Sequence, residues 1–172
     1  MDTTKVSKID AASRQLDAAI RLLFSDFDII AVHTLAGTAS KITSDLVEKL
    51  ALDKSWDKAA QTVNNLSSTE YFRIVRETQN FLKHAKNDAD EMHEFALSDT
   101  EYLIFWAVMN LAELRHRLTI EQSAFQLWFL ASQSDVLDPS SEVYKSAISL
   151  FGDLTSYPRA DRLAAGLSKL KG

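Results

Sequence analysis

Apolar residues recur every three or four positions along most of this chain, and the polar gaps between those runs mark out helices. From about Val6 to Phe24, Ile9, Ala12, Leu16, Ile20 and Leu23 share one face, with Arg14, Asp17 and Arg21 on the other side. Ser25-Asp26-Phe27-Asp28 breaks the pattern. Asp28 suits an N-cap, because its carboxylate can accept from the free amides of the following turn. A second helix is expected from Ile29 to about Leu52, with Val32, Ala36, Ala39, Leu46 and Leu50 along its buried side. His33, Gly37 and Ser40 form a narrow stripe of small or polar residues on it. A glycine inside a helix costs about 1 kcal/mol relative to alanine, so Gly37 points to close packing or close approach of a ligand.

Trp56 to Val63 forms a short helical segment, and Asn64-Asn65 followed by Ser67-Ser68 marks a loop. Ser67 and Glu70 have capping-box spacing and open a fourth helix, expected from Thr69 to Ala85 or Lys86. Phe72, Val75 and Leu82 line one side of it, and Arg73, Glu77, Asn80 and His84 line the polar face. Asn87-Asp88-Ala89-Asp90 ends the element, and residues 87–97 read as a loop. Ser98 and Glu101 form a second capping box, which predicts a helix from Tyr102 to about Leu118. The run Tyr102 to Met109 is apolar right round the cylinder, the pattern of a helix central in the core or covered by a partner subunit. Asn110 interrupts it and needs a hydrogen-bond partner if buried. Thr119 and Gln122 open the next helix, about Ile120 to Ser132, also heavily apolar. Two more follow, about Ser141 to Leu154 and Arg159 to Leu170. The expectation is one all-α domain over residues 1–172, a bundle of six to eight helices.

Composition narrows this picture. Two prolines and four glycines are too few for a turn-rich sheet protein, and 46% hydrophobic with 25% charged residues fits a folded chain. The 172 residues suit one domain. The absence of cysteine excludes disulfides, a thiol nucleophile and thiolate zinc sites. Neither a secretory leader nor an apolar run long enough to cross a bilayer is apparent, so the expected location is cytoplasmic and membrane contact is not expected. A net charge of −5 argues against electrostatic capture of a long polyanion as the main task.

Chemistry concentrates in Gln79-Asn80-Phe81-Leu82-Lys83-His84. On a helix, Asn80 and His84 lie one above the other, with Lys83 beside them. The plainer reading is a solvated helix end, where Lys83, His84 and Lys86 complement the dipole. His33 is a candidate partner for His84 across a groove, or else a partly buried histidine bonded to a neighbour. His33, His84, His93, Glu94 and Asp88 lack the spacing of a helical metal site, so no metal or cofactor is expected. Arg115-His116-Arg117 complements a helix C-terminus, and the aromatics Phe105, Trp106, Trp128 and Phe129 read as core or subunit interface.

The pattern Asn80-x-x-x-His84 resembles the HEPN superfamily of small helical bundles, whose active members place Arg, a polar residue, three residues and His on one helix. That resemblance implies metal-independent RNA cleavage at a site formed across a homodimer. Gln79 stands at the position of the Arg, with Arg76 and Arg73 as alternative sources of charge on the same side. The runs 18–24, 32–39 and 80–85 resemble a bacterial family of helical proteins that carries no known activity. Two functions are thus expected as alternatives. The first is a ligand-binding or interaction module, homodimeric, with a polar groove around His33, Arg73, Arg76, Asn80, Lys83 and His84 for a small molecule or RNA. The second is a HEPN-like ribonuclease or a degenerate RNA-binding relative.

Overall fold

A computed structural model describes residues 1–86 and 88–171, and among them every regular element is helical. The nine α-helices are α1 Lys8–Phe24, α2 Ile29–Leu50, α3 Trp56–Val63, α4 Ser68–Val75, α5 Glu77–Lys83, α6 Leu97–Glu113, α7 Ile120–Ala131, α8 Glu142–Phe151 and α9 Arg159–Leu170. Single 3-10 turns span Leu52–Lys54 and Ser134–Val136. The count exceeds the expected six to eight because the long fourth helix is two. Arg76 leaves the helical region (φ −105°, ψ 2°), and α5 restarts behind it. Asn87, expected to end that element, lies outside the described residues.

The first two helices form a hairpin. Ala12, Leu16, Ala19, Ile20 and Leu23 are buried on α1, and Val32, Ala36, Ala39 and Val47 on α2. Full burial of each leucine or isoleucine contributes about 1.5–3 kcal/mol. Asp28 caps α2 as expected, accepting from the Ile30 and Ala31 amides at 2.9 and 3.2 Å. Of the residues expected on the buried side of α2, Leu50 is exposed instead and Val47 takes the core position.

Helix α6, with its apolar run Tyr102 to Met109, lies against α1 and α2, with α7 beside it, and α8 and α9 cover α7. Phe24, Phe105, Phe125, Trp128 and Phe129 form one aromatic cluster at this junction. The chain thus covers most of its two most apolar helices, leaving Leu97, Tyr102 and Ile120 exposed. Polar ties fix the layers. Buried Gln122 donates from Nε2 to Ser13 Oγ at 2.9 Å and Asp17 Oδ1 at 2.8 Å, joining α7 to α1. Arg159 at the start of α9 donates to buried Glu101 at 3.0 Å, and Trp128 Nε1 donates to the Arg162 carbonyl at 2.6 Å.

Three helices end through one device, and α1 and α3 stop at Phe24 and Val63 as expected. Asp26, Asn65 and Arg115 adopt φ of 51°, 52° and 57°, left-handed positions that usually take glycine. Behind each, a backbone amide reaches back to close the last turn: Phe27 to Leu22, Leu66 to Gln61 and His116 to Leu111. Thus α6 stops at Glu113, short of the expected Leu118. It also starts earlier than expected, at Leu97, because the Asp99 carboxylate accepts from the Ala96 amide at 3.2 Å. Likewise α8 ends at Phe151 rather than Leu154, since Gly152 has φ 71°.

Candidate functional site

The broken α4–α5 arm is a wall with two different faces. Residues 72, 73, 76, 79, 80 and 83 look to one side, and residues 74, 75 and 78 look to the other. On the first side lies an open cleft of about 650 Å³, bordered by Lys41 of α2. Arg73, Arg76, Asn80, Lys83 and His84 all line it. The structure thus brings together five of the six residues singled out from the sequence. No acidic residue lines the cleft among the described residues. The Arg76 guanidinium rests over the Phe72 ring, 3.9 Å from its centroid, which fixes its position. Lys41 is held by an ion pair to Asp45, one turn further along α2. Arg73, Asn80, Lys83 and His84 are exposed. His84 is not a helical residue: it follows α5 in an extended conformation, its amide bonded to the Asn80 carbonyl at 3.1 Å.

Gln79 and Gly37 explain each other. Gln79 is buried, and a Cβ built on Gly37 would lie 2.7 Å from its Cδ and Nε2. Gly37 is therefore present for close packing of α5 on α2. Gln79 Nε2 keeps no hydrogen-bond partner.

His33, the sixth expected residue, is not in this cleft. It lines a separate cavity of about 250 Å³ on the opposite side of the arm, with Ile74, Val75, Thr78, Asp99, Tyr102, Leu103 and Trp106. His33 is 2% exposed. Its Nδ1 pairs with Thr100 Oγ1 at 2.9 Å, while Nε2 is buried without a partner. Burial lowers its pKa, the neighbouring Asp99 opposes that shift, and His93 adds to it. His93 itself pairs with Thr78 Oγ1 at 2.9 Å and stacks on Phe81.

Asp57 escaped the sequence reading. It is 5% exposed on α3, its Oδ1 accepting from the Tyr71 hydroxyl at 3.0 Å. Its Oδ2 accepts from Ser44 Oγ at 2.8 Å and from Asn110 Nδ2 at 3.0 Å. Asn110 thereby finds the partner its burial requires. Burial first, then the Asp57 charge and hydrogen bond, push the Tyr71 phenol well above its usual range. Three donors engage both oxygens of this carboxylate, so its geometry is that of a structural junction between α2, α3, α4 and α6. In the sequence, Asp57 is one acid among many, and its partners come from three distant segments.

No group of three or more His, Asp or Glu is arranged to hold a metal ion among the described residues. No helix among them is long and apolar enough to cross a membrane. Fold and cleft together define an all-helical protein with a basic concavity on an acidic chain. Comparison with protein-family models, with curated proteins and with solved structures found no match to this chain.

Proposed function

We propose that this protein is a cytoplasmic binding module for a small phosphate-bearing ligand, held in the basic cleft of α2, α4 and α5. What carries the reading is the convergence of Lys41, Arg73, Arg76, Lys83 and His84 on one concavity whose lining holds no acidic residue among the described residues, in a chain of net charge −5. Arginine presents a planar fork that matches phosphate oxygens, and lysine adds a mobile point charge. Asn80 is a neutral donor and acceptor among them. The lack of cysteine supports a reducing compartment.

Isothermal titration with tripolyphosphate at low salt tests this. The expected result is saturable binding that weakens as salt rises and is lost in an Arg73→Ala/Lys83→Ala variant. Both side chains are exposed, so the fold should be retained. No heat with the parent protein, or equal binding by the variant, refutes the reading.

One observation favours a second reading, RNA cleavage without a metal. Arg76, Asn80 and His84 line the same cleft, which pairs a histidine able to act as acid or base with a cation able to stabilise phosphate charge. That reading calls for a homodimer with two clefts facing one another. It expects RNA cleavage that survives EDTA and stops in His84→Ala, from a protein that sediments as a dimer. Intact RNA, or a monomer, removes it and leaves the binding module.

A further inference from the structure

We propose that the phosphate-bearing ligand is a sugar phosphate, its hydroxyls held in a second cavity that continues from the basic cleft; the proposal rests on the phosphate reading of that cleft. The second cavity, of about 180 Å³, lies between α2, α3 and α4. Ser68 and Phe72 of α4 border both it and the basic cleft, so the two spaces share an edge. One stripe of α2 runs past both. Lys41 lines the cleft, and Ser44 and Glu48 line the cavity. These positions are three and four residues apart, which places them on one helix face, spanning about 10 Å.

Charge gives this groove a direction. The cleft carries Lys41, Arg73, Arg76, Lys83 and His84, whereas Glu48 and Asp57 line the cavity with Lys58. A phosphate is therefore attracted to the cleft end, and the part that enters the cavity carries no negative charge. Size limits that part further. About 150 Å³ holds a benzene ring, so about 180 Å³ admits a single sugar ring.

Gln61 selects the chemistry. It is 6% exposed and lines the cavity, and its side-chain amide makes no hydrogen bond among the described residues. Unlike Gln79 Nε2, which is sealed, both of its amide atoms keep accessible surface, so an occupant can reach them. A largely buried amide without a partner is costly, and an occupant that pairs with it removes the cost. The amide has one oxygen that accepts and one nitrogen that donates, and a hydroxyl can meet either. Exposed Glu48 adds an acceptor and exposed Lys58 a donor at the same cavity. Asp57 is already engaged by three donors. An apolar group finds little here. Phe72 is the one apolar side chain lining the cavity among the described residues, and the Arg76 guanidinium covers a face of its ring. Several hydroxyls on a small ring answer this lining, and a nucleobase or an acyl chain does not.

Isothermal titration with ribose 5-phosphate, ethyl phosphate and tripolyphosphate at low salt tests this. Ethyl phosphate has the same phosphate monoester and no hydroxyls. Ribose 5-phosphate should bind about tenfold more tightly, the size of effect that one good hydrogen bond carries. Gln61→Leu removes the amide and keeps a similar volume. It should bring ribose 5-phosphate close to ethyl phosphate and leave tripolyphosphate binding unchanged, which also reports that the variant is folded. If that variant does not fold, the comparison in the parent protein decides. Tripolyphosphate binding with no preference for ribose 5-phosphate over ethyl phosphate overturns the sugar phosphate and spares the phosphate reading. A folded Gln61→Leu protein that keeps the full preference also overturns it. Absence of binding by all three removes both.

Discussion

Replacing Asp57 by alanine should remove the acceptor on which three helices converge. The carboxylate on α3 takes hydrogen bonds from Ser44 of α2, Tyr71 of α4 and Asn110 of α6, at 2.8, 3.0 and 3.0 Å. A buried donor that loses its partner costs about 1–3 kcal/mol. Three such losses bound the effect at about 3–9 kcal/mol. The polar cavity of about 180 Å³ that Asp57 and Ser44 line gives water a route to part of the network. The expected loss therefore lies near the low end, about 3–5 kcal/mol, as for other broken buried charge networks. Asparagine behaves differently. With its Nδ2 turned toward the Tyr71 oxygen, its carbonyl keeps Ser44 and Asn110, while the charge assistance goes and the Tyr71 hydroxyl hydrogen loses its acceptor, a cost of about 1–3 kcal/mol. Urea unfolding followed by tryptophan fluorescence measures both, by linear extrapolation. Trp56 adjoins Asp57, and its amide donates to Asn110 Oδ1 at 3.3 Å, so the probe sits at the junction itself. An alanine variant within about 1 kcal/mol of the parent, or an asparagine variant costlier than alanine, refutes the reasoning.

Gly166→Ala should lower Tm by several degrees. Its new Cβ would lie 2.4 Å from Phe24 Cε1, in a ring wedged against Phe125 and Trp128. Overpacking costs about 1–3 kcal/mol and helix propensity returns at most about 1 kcal/mol, so calorimetry showing no loss would contradict this packing. Stability should also fall in mild acid through His33. Burial depresses its pKa in the fold, so the unfolded chain takes up the proton first, near its ordinary value of about 6.5. The contribution is complete above that value and is lost as pH falls toward the lower folded pKa. Urea midpoints compared between parent and His33→Gln across this window should converge with acidification, and a constant difference would exclude the role.

Local chemistry was the most legible part of the sequence. Asp28, the Ser67–Glu70 pair and the Thr119–Gln122 pair cap their helices as their spacing dictates, because a cap needs only residues within one turn. The ends of α1 and α3 fell where the sequence placed them, whereas the end of α6, where Arg115 takes the left-handed place of glycine, was less legible. For Arg115, nothing in its residue type announces that role. The break at Arg76 was hidden because residues 68–83 carry helical periodicity throughout, and the packing of Gln79 on Gly37 is a contact between α5 and α2. The polar residues of the cleft were legible as a helix face. That His33 lies across the arm from them follows from how α4 and α5 sit beside the directly packed α2–α6 pair, which periodicity does not encode.

The contact between Phe24 and Gly166 joins the end of α1 to the middle of α9, across most of the described chain. Buried Trp128 is likewise tied to α9, through the Arg162 carbonyl. As the polypeptide is synthesised, α1, α2, α6 and α7 all emerge before the helix that covers their shared aromatic junction. Phe24 and Trp128 then remain open to other chains and to chaperones until α9 arrives. The order in which the core is made and the order in which it is sealed are thus different, and α9 sets the length of the vulnerable interval.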